Sequence, residues 1–353
     1  MTEEVLFDID QNGTATITLN RPKAINSLTH NMLANIRNKL LTWKNDDSVQ
    51  VIILEGAGSR GLCAGGDMKA LYDIQNSEGA LQEARNFFDV EYETDLLVYE
   101  YPKPIVASLD GIVMGGGVGI SYGASHRIVT DKTKWSMPEM NIGFFPDVGA
   151  AYFLNKAPGY IGRYLALNAK VLTASDVLYI NGTDYYMPKE QLFNLLKEIK
   201  ATNWHETNPK ENLNQLVESF AEKRETPAEN LEELQEKIDQ HFKYDTVEEI
   251  IKSLEFDSSD FAQKTKENML SKSPVSLKVT LKQLKKGEGK SFGECLDNDL
   301  TIASNFMKHG DFYEGVRSVL VDKDRNPDYE YKQLSDVTDE LVDSFFTINE
   351  SQS

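Results

Sequence analysis

The sequence contains few cysteines and no pattern that would bind a metal. Its 353 residues include two cysteines, Cys63 and Cys295, a number that is ordinary for a reducing compartment and gives no disulfide framework. The five histidines lie far apart, and no spacing of His, Cys and Asp resembles a metal site. We therefore expect no bound metal. Cys63 stands in a glycine-rich segment, where a small half-buried side chain is a better interpretation than a reactive thiol.

Long apolar runs and an excess of positive charge are also missing. No run approaches the 18 residues that a membrane span requires, and MTEEVLFDID has none of the features of a targeting segment. We expect a cytoplasmic protein, or a mitochondrial matrix protein if the chain is eukaryotic and processed. The formal net charge of -19 repels nucleic acids and anionic membranes, so neither is an expected partner. An anionic ligand would need a local basic patch or backbone N–H donors.

Strand and helix patterns alternate over the first half of the chain. Helical spacing appears from Thr29 to Trp43 and from Leu81 to Tyr99. The predicted strands are a hairpin, VLFDID and TATITLN around QNG, and three buried runs, VQVIILEGAG, PIVASLDG and HRIVT. This alternation predicts an α/β core, in which ligands bind at loops after the carboxyl ends of strands.

The composition changes after about Tyr186. Further on, the sequence is charged and helical, with amphipathic spacing in LEELQEKIDQHF and in SPVSLKVTLKQLKKG. We therefore predict a catalytic core over residues 1–187 and a helical region over residues 188–353, with residues 349–353 frayed.

A glycine cluster stands out in GIVMGGGVGISYGASH, residues 111–126. It could hold a phosphate, a nucleophilic serine or a developing negative charge. The dinucleotide fingerprint fails because its third glycine position is occupied by Ile120 or Tyr122, and the phosphate-binding P-loop pattern fails because no Gly-Lys-Ser/Thr follows the cluster directly. Ser121 fits G-x-S-x-G by letters only, because glycines rather than a strand precede it, so we interpret it as a small residue on a packed helix.

Backbone N–H groups are the remaining interpretation of the cluster. Glycines allow close approach to bare N–H donors, which stabilise an oxyanion. An oxyanion hole usually takes donors from two segments, and a second glycine loop, GAGSRGLCAGGDMKAL (residues 56–71), also follows a predicted strand. We expect the two loops to converge.

From about residue 5 to residue 185 the sequence resembles the crotonase (enoyl-CoA hydratase/isomerase) superfamily. The motifs that carry the resemblance are NRPKAINSLTHNML, SRGLCAGGDMKAL, KPIVASLDGIVMGGGVGIS and SMPEMNIGFFPDVGAAYFL. It is most similar to the 3-hydroxyisobutyryl-CoA hydrolase branch, because of PEMNIGFFPDVGA, MGGGVG and the later HGDFYEGVRSVLVDKDRNP. The resemblance implies a fold of the α/β class, a crotonase-like ββα spiral core with a helical C-terminal region.

The resemblance also assigns backbone donors and coenzyme A contacts. The oxyanion donors of the family correspond to the N–H groups of Gly66 and Gly116. The backbone around Ala64 and the side chains of Lys23 and Lys69 match positions that bind coenzyme A. An ordinary exposed charge is the alternative for each lysine.

Acidic residues complete the implied site. Glu139 matches the family's catalytic glutamate, Asp147 the second acid of the hydrolase branch, and Glu91 a substrate-contacting glutamate. Glu139 and Asp147 could instead be helix-starting carboxylates, and Glu91 a surface residue. Hydratases carry another glutamate three residues after the middle glycine, where this chain has Gly119.

The implied activity is hydrolysis of a short 3-hydroxyacyl-CoA thioester, most specifically 3-hydroxyisobutyryl-CoA. The alternatives are an enoyl-CoA hydratase or isomerase and a non-catalytic acyl-CoA-binding protein. Coenzyme A would belong to the substrate, so no separate cofactor is expected. A homo-oligomer is a further expectation, since related proteins often form trimers, although the C-terminal helices could replace such contacts.

Overall fold

The computed structural model describes residues 3–206, 208–222 and 230–347. Within these residues, the strands form a six-stranded sheet in the order β1-β2-β3-β5-β7-β9 and a three-stranded sheet in the order β4-β6-β8. The strands are β1 (Val5–Ile9), β2 (Thr14–Leu19), β3 (Val51–Gly56), β4 (Gly61–Cys63), β5 (Ile105–Leu109), β6 (Ile112–Met114), β7 (His126–Val129), β8 (Lys134–Ser136) and β9 (Tyr185–Tyr186). The predicted fraying of residues 349–353 falls outside the described residues.

Helices occupy most of the remaining described chain. They are α1 (His30–Trp43), α2 (Met68–Asp73), α3 (Ala80–Tyr99), α4 (Gly116–Tyr122), α5 (Ala150–Leu154), α6 (Ile161–Asn168), α7 (Ala174–Tyr179), α8 (Lys189–Ala201), α9 (Pro209–Phe220), α10 (Leu231–Phe242), α11 (Val247–Glu255), α12 (Asp260–Leu270), α13 (Pro274–Gly287), α14 (Phe292–Phe306), α15 (Gly310–Val316) and α16 (Asp339–Ser344). The 3₁₀ turns are Pro22–Ala24, Glu139–Ile142, Trp204–Glu206 and Leu334–Asp336, and Arg317–Val321 forms a π-turn.

The predicted hairpin and the three predicted buried strands are confirmed. β1 and β2 pair antiparallel with Val5 opposite Leu19, whereas β2, β3, β5, β7 and β9 pair in parallel. A parallel strand is covered on both faces, which explains why the β3 sequence reads as a continuous apolar run. Its side chains pack in a core cluster with residues from α8 and α9, such as Leu195 and Leu213.

The chain divides into two compact units that each combine several segments. The first unit comprises residues 1–66, 90–136 and 171–230, and the second comprises residues 67–89, 137–170 and 231–353. All the strands named above belong to the first unit, and the regular elements described in the second unit are helices joined by turns and loops. This grouping follows spatial contacts rather than a single boundary after residue 187, so the functional division at that point stays a prediction.

The predicted helices form where the periodicity placed them. Thr29 caps α1 by accepting a hydrogen bond from the Met32 N–H (3.2 Å), and α10 and α13 cover the two amphipathic segments. Along the described residues, no helix is both long enough and apolar enough to cross a membrane.

The cap of α1 gives a test of local stability. Removing the Thr29 hydroxyl leaves the Met32 N–H without its acceptor, so Thr29→Ala should lower the free energy of unfolding by about 1 kcal/mol. Thr42 is an exposed threonine of the same helix whose hydroxyl donates only to the Asn38 carbonyl (3.0 Å). Thr42→Ala should therefore be neutral or slightly stabilising, because alanine is the better helix former. Chemical denaturation of both variants checks this, and equal losses would contradict it.

Candidate active site

Parallel pairing of two short strands brings the two glycine loops together. β4 pairs with β6 in parallel, with Gly61 opposite Ile112 and Cys63 opposite Val113. The loops that follow these strands therefore leave the sheet at the same edge. The N–H of Leu28 also donates to the Gly65 carbonyl (2.9 Å), which fixes the first loop against the chain before α1. The expected convergence of the loops is confirmed.

Gly66, Gly116 and Glu91 lie at the point where the loops meet. A methyl carbon added to Gly116 would lie 3.2 Å from the Gly66 nitrogen and 2.3 Å from Oε1 of Glu91. Among the described residues, neither the Gly66 N–H nor the Gly116 N–H donates a hydrogen bond to another protein group. Two backbone donors are thus available beside a carboxylate that is 1% exposed. The alternative of Glu91 as a surface residue is wrong.

Close packing behind the second loop requires another glycine. A Cβ atom on Gly117 would lie 2.7 Å from both Cβ and the carbonyl oxygen of Cys63, so only glycine lets α4 approach β4 this closely. Ser121 is buried on α4, and its hydroxyl donates to the Gly117 carbonyl (2.7 Å). The interpretation of Ser121 as a small residue on a packed helix is confirmed.

The Cys63 thiol lies under the same loop. It is fully buried rather than half-buried. Burial, together with the charges of Glu91 and Asp95, raises the pKa of Cys63 to about 12, against a lowering contribution from the Gly65 backbone N–H. A thiol with so high a pKa is almost entirely protonated at neutral pH, which excludes a thiolate nucleophile at this position.

The second unit carries the predicted acid pair. Glu139 begins a 3₁₀ turn and is 7% exposed, and Asp147 is 4% exposed. The N-cap of α5 is Gly149, and no side chain caps that helix, so Asp147 does not serve as a helix starter. Glu139 does stand in the first turn of its short helix, but its Oε2 is buried without a hydrogen-bond partner among the described residues.

The surroundings of Glu139 favour its protonated form. Burial and then the charge of Asp147 raise the pKa of Glu139 well above its usual range, although a backbone N–H partly opposes the shift. A buried acid whose pKa is strongly perturbed by desolvation and by a neighbouring charge is a candidate for a general acid or base.

Sequence reasoning missed two polar residues beside Asp147. Asp299 of α14 accepts hydrogen bonds from the Gly149 N–H (2.9 Å) and from the Gln283 side-chain amide of α13 (2.7 Å). Burial raises the pKa of Asp299 well above its usual range, and the Asp147 charge contributes to the shift. The sequence pattern that could have identified Asp299 is its place on the apolar face of α14. The other buried residues of this helix are Phe292, Cys295, Leu296, Ile302, Ala303 and Phe306.

The HGDFYEGV segment supports the turn that carries Glu139. Gly143 has a φ of +63°, and a Cβ atom there would lie 2.2 Å from the Asp311 carbonyl oxygen. A Cβ atom on Gly315 would lie 2.1 Å from the carbonyl carbon of Ile142. The two backbones are therefore in direct contact, which gives the two glycines a structural reason.

The predicted coenzyme A contacts lie in both units. Lys23 is exposed on the 3₁₀ turn Pro22–Ala24, and the Ala64 N–H donates to the nearby Ile25 carbonyl (3.0 Å). Lys69 is exposed on α2 in the second unit. Within the described residues, no group of three or more His, Cys, Asp and Glu side chains is arranged to hold a metal ion.

Comparison with known proteins identifies relatives over nearly the whole chain. A family model described as enoyl-CoA hydratase/isomerase matches residues 14–346. A Xenopus laevis protein named 3-hydroxyisobutyryl-CoA hydrolase, mitochondrial, is 39% identical over 334 residues, which are 94% of this chain and 86% of that protein. The human protein of the same name is 38% identical over 347 residues, 98% of this chain and 88% of that protein.

Two solved structures share the architecture. A carnitinyl-CoA dehydratase from Mycobacterium thermoresistibile has a TM-score of 0.90 and 36% identity, covering 99% of this chain and 98% of that one. An enoyl-CoA hydratase from Rhodobacter sphaeroides 2.4.1 has a TM-score of 0.88 and 31% identity, covering 98% of this chain and 97% of that one. The expected fold, a crotonase-like core with C-terminal helices, is confirmed.

Gly116 offers a test of the packing at the glycine loops. Gly116→Ala places a methyl group against the buried Glu91 carboxylate, and such overpacking should lower the free energy of unfolding by about 1–3 kcal/mol. Gly310→Ala is the matched control, because a Cβ atom at Gly310 meets no other atom within 4 Å. Denaturation curves for both variants provide the measurement. A Gly116→Ala variant as stable as the control would contradict the close approach of Gly116 to the Glu91 carboxylate.

The raised pKa of Glu139 makes stability depend on pH with a defined sign. Folding favours the protonated acid, so the wild type loses stability as the pH rises from the ordinary value of 4.5 through the raised pKa. A glutamine cannot ionise and avoids this loss. Glu139→Gln should therefore raise the melting temperature more at about pH 8 than at about pH 5.

The control for this pH test is an exposed glutamate of α10. Glu232→Gln removes one charge from the helix surface without changing a buried group. Differential scanning calorimetry of both variants across this range provides the measurement. A Glu139→Gln effect that stays constant with pH, or that matches the control, would contradict a raised pKa.

Proposed function

Because the chain belongs to the enoyl-CoA hydratase/isomerase family, we propose that it hydrolyses a short 3-hydroxyacyl-CoA thioester. The most specific form of the proposal is conversion of 3-hydroxyisobutyryl-CoA to 3-hydroxyisobutyrate and coenzyme A. The observation that carries it is the buried pair of Glu139 and Asp147 in a chain that has Gly119 where hydratases carry a second glutamate. The names of the frog and human relatives support the same activity.

Backbone N–H groups would stabilise the transition state. In the proposed mechanism, the Gly66 and Gly116 N–H groups donate to the thioester carbonyl oxygen as it becomes an oxyanion. Gly66 forms a β-bridge with Leu28, and Gly116 begins α4 two residues after β6, so backbone structure rather than side chains holds both donors. The assignment of these donors and the acid pair to one mechanism rests on the resemblance to the family.

Glu139 would perform the acyl chemistry in one of two ways. It attacks the carbonyl carbon and forms a mixed anhydride that water then hydrolyses, or it accepts a proton from water as the water attacks. In both routes a carbon–oxygen bond forms, the carbon–sulfur bond breaks, and a proton reaches the departing thiolate.

Asp147 would recognise the 3-hydroxyl group or shuttle a proton. A contact specific for the hydroxyl group discriminates strongly against an acyl chain that lacks it. Asp147 is 4% exposed, which supports such a role. Glu91 would contact the substrate near Gly116, and the Ala64 backbone, Lys23 and Lys69 would bind coenzyme A.

The compartment and the assembly are part of the proposal. The frog and human relatives are named as mitochondrial, so we propose the mitochondrial matrix for a processed eukaryotic chain and the cytoplasm otherwise. A homo-oligomer remains a prediction from the family.

A second candidate function is hydration or dehydration of an acyl-CoA. The two solved structures described above favour it, since their titles name a dehydratase and a hydratase. Initial rates with 3-hydroxyisobutyryl-CoA, by thiol release, and with crotonyl-CoA, by loss of the conjugated double bond, separate the two candidates. Faster turnover of crotonyl-CoA would overturn the proposed hydrolase, and no turnover of either would favour an acyl-CoA-binding protein.

The acid pair gives the mutational test. Glu139→Gln and Asp147→Asn should each lower the kcat for thioester hydrolysis by at least ~100-fold, the scale of a general acid–base contribution. Ser121→Ala should keep kcat within ~3-fold of the wild type, because its hydroxyl only satisfies backbone carbonyls of α4. Near-normal activity of either acid variant would remove that residue from the mechanism, and a large loss in Ser121→Ala would restore the serine nucleophile.

A further inference from the structure

The backbone around Asp147 adopts a conformation that needs external support. Val148 has a φ of +50° and Gly149 a φ of +79°, so two consecutive residues lie in the left-handed region. A β-branched residue is rarely found there, and such a residue persists only where surrounding groups hold it. Val148 is also fully buried. The orientation of Asp147 therefore depends on contacts made by its neighbours.

Two side chains of the C-terminal helices supply these contacts. Asp299 accepts the Gly149 N–H (2.9 Å), and the Gln283 side-chain amide donates both to Asp299 (2.7 Å) and to the Pro146 carbonyl oxygen (2.8 Å). The Pro146 oxygen can only accept, so the amide nitrogen of Gln283 must face it and the orientation of the amide is fixed. Together the two side chains bind the backbone on both sides of Asp147.

Both side chains are completely buried. A buried carboxylate and a buried amide are a poor choice for stability alone, because apolar residues of similar volume often serve as well or better. Their three hydrogen bonds all lie within this group or reach the turn that contains Asp147. A role in fixing this turn explains why polar atoms occupy the core at these positions.

We propose that Asp299 and Gln283 are positioning residues that hold Asp147 in the orientation required for hydrolysis. The proposal rests on the function proposed above, in which Asp147 acts on the acyl group. Neither residue needs to touch the substrate, because each acts through the backbone of the turn. Helices α13 and α14 thereby contribute to catalysis without supplying a catalytic residue.

Asp299→Asn tests the proposal with little change in volume. The Gly149 N–H donates to Oδ2 of Asp299 and the Gln283 amide to Oδ1, and asparagine has an acceptor at only one of these two positions, so one donor would face its NH₂ group. We expect kcat to fall about 10- to 100-fold, as for a misplaced catalytic group, while KM changes by less than ~3-fold. In an Asp147→Asn background the same substitution should lower kcat by less than ~2-fold further, because its effect passes through Asp147.

Asp239→Asn is the matched control. Asp239 is a half-buried aspartate of α10 that accepts the Tyr160 N–H (2.6 Å), so its substitution also removes a carboxylate bound to a backbone N–H. We expect a lower melting temperature with an unchanged kcat. If Asp299→Asn behaves in the same way, Asp299 is merely structural and the proposal fails. If Asp299→Asn does not fold, Gln283→Leu replaces it, and a normal kcat in that variant would equally overturn the proposal.

Hydrogen exchange at Gly149 separates this proposal from the proposed function. The Gly149 amide should be protected in the wild type and should exchange at least ~10-fold faster in Asp299→Asn, because its acceptor is weakened. Unchanged protection of the Gly149 amide in Asp299→Asn would show that Asp299 does not hold this turn, and it would overturn the proposal whatever the enzyme activity. If the wild type hydrolyses no acyl-CoA thioester while Asp299→Asn loses protection at Gly149 as expected, the proposed function fails. The inference that Asp299 holds the backbone beside Asp147 then still stands.

Discussion

Burial of carboxylates is the constraint on which the acid-bearing part of the protein depends. Transfer of an ionised carboxylate from water into the interior is unfavourable unless hydrogen bonds replace hydration, and otherwise the group tends to stay protonated. The structure uses both responses. Burial raises the pKa of both Glu139 and Asp299, but Asp299 accepts from two N–H donors, whereas one oxygen of Glu139 is buried without a partner in the described chain. This difference makes Glu139 suited to chemistry and Asp299 suited to support.

In the glycine loops, backbone N–H groups rather than side chains are the available donors. Backbone N–H donors are placed by the parallel pairing of β4 and β6, and glycine keeps other atoms away from the space in front of them. Gly117 has no Cβ atom and therefore lets α4 pack directly against Cys63. The position of the two donors is therefore a property of sheet register rather than of any functional side chain.

The sequence predicted the sheet core, the helical C-terminal half and the convergence of the glycine loops. Periodicity and glycine spacing are local signals, and the parallel arrangement of the strands follows from their alternation with helices. The burial of Glu91 needed the structure, because its helix α3 carries polar and apolar residues in similar measure. Asp299 and Gln283 could not be assigned at all, since nothing local links them to a turn far away in the chain. Gly149 and its acceptor Asp299 are 150 residues apart.

That separation has a consequence for the order in which the protein matures. A ribosome that has completed residues 1–187 has made every strand that the structure describes and every predicted catalytic residue. The side chains that bind the backbone on either side of Asp147 are not yet made, since Gln283, the nearer of the two, lies 96 residues beyond residue 187. Nascent chains of this length therefore carry both acids while lacking the two side chains that bind the backbone on either side of Asp147.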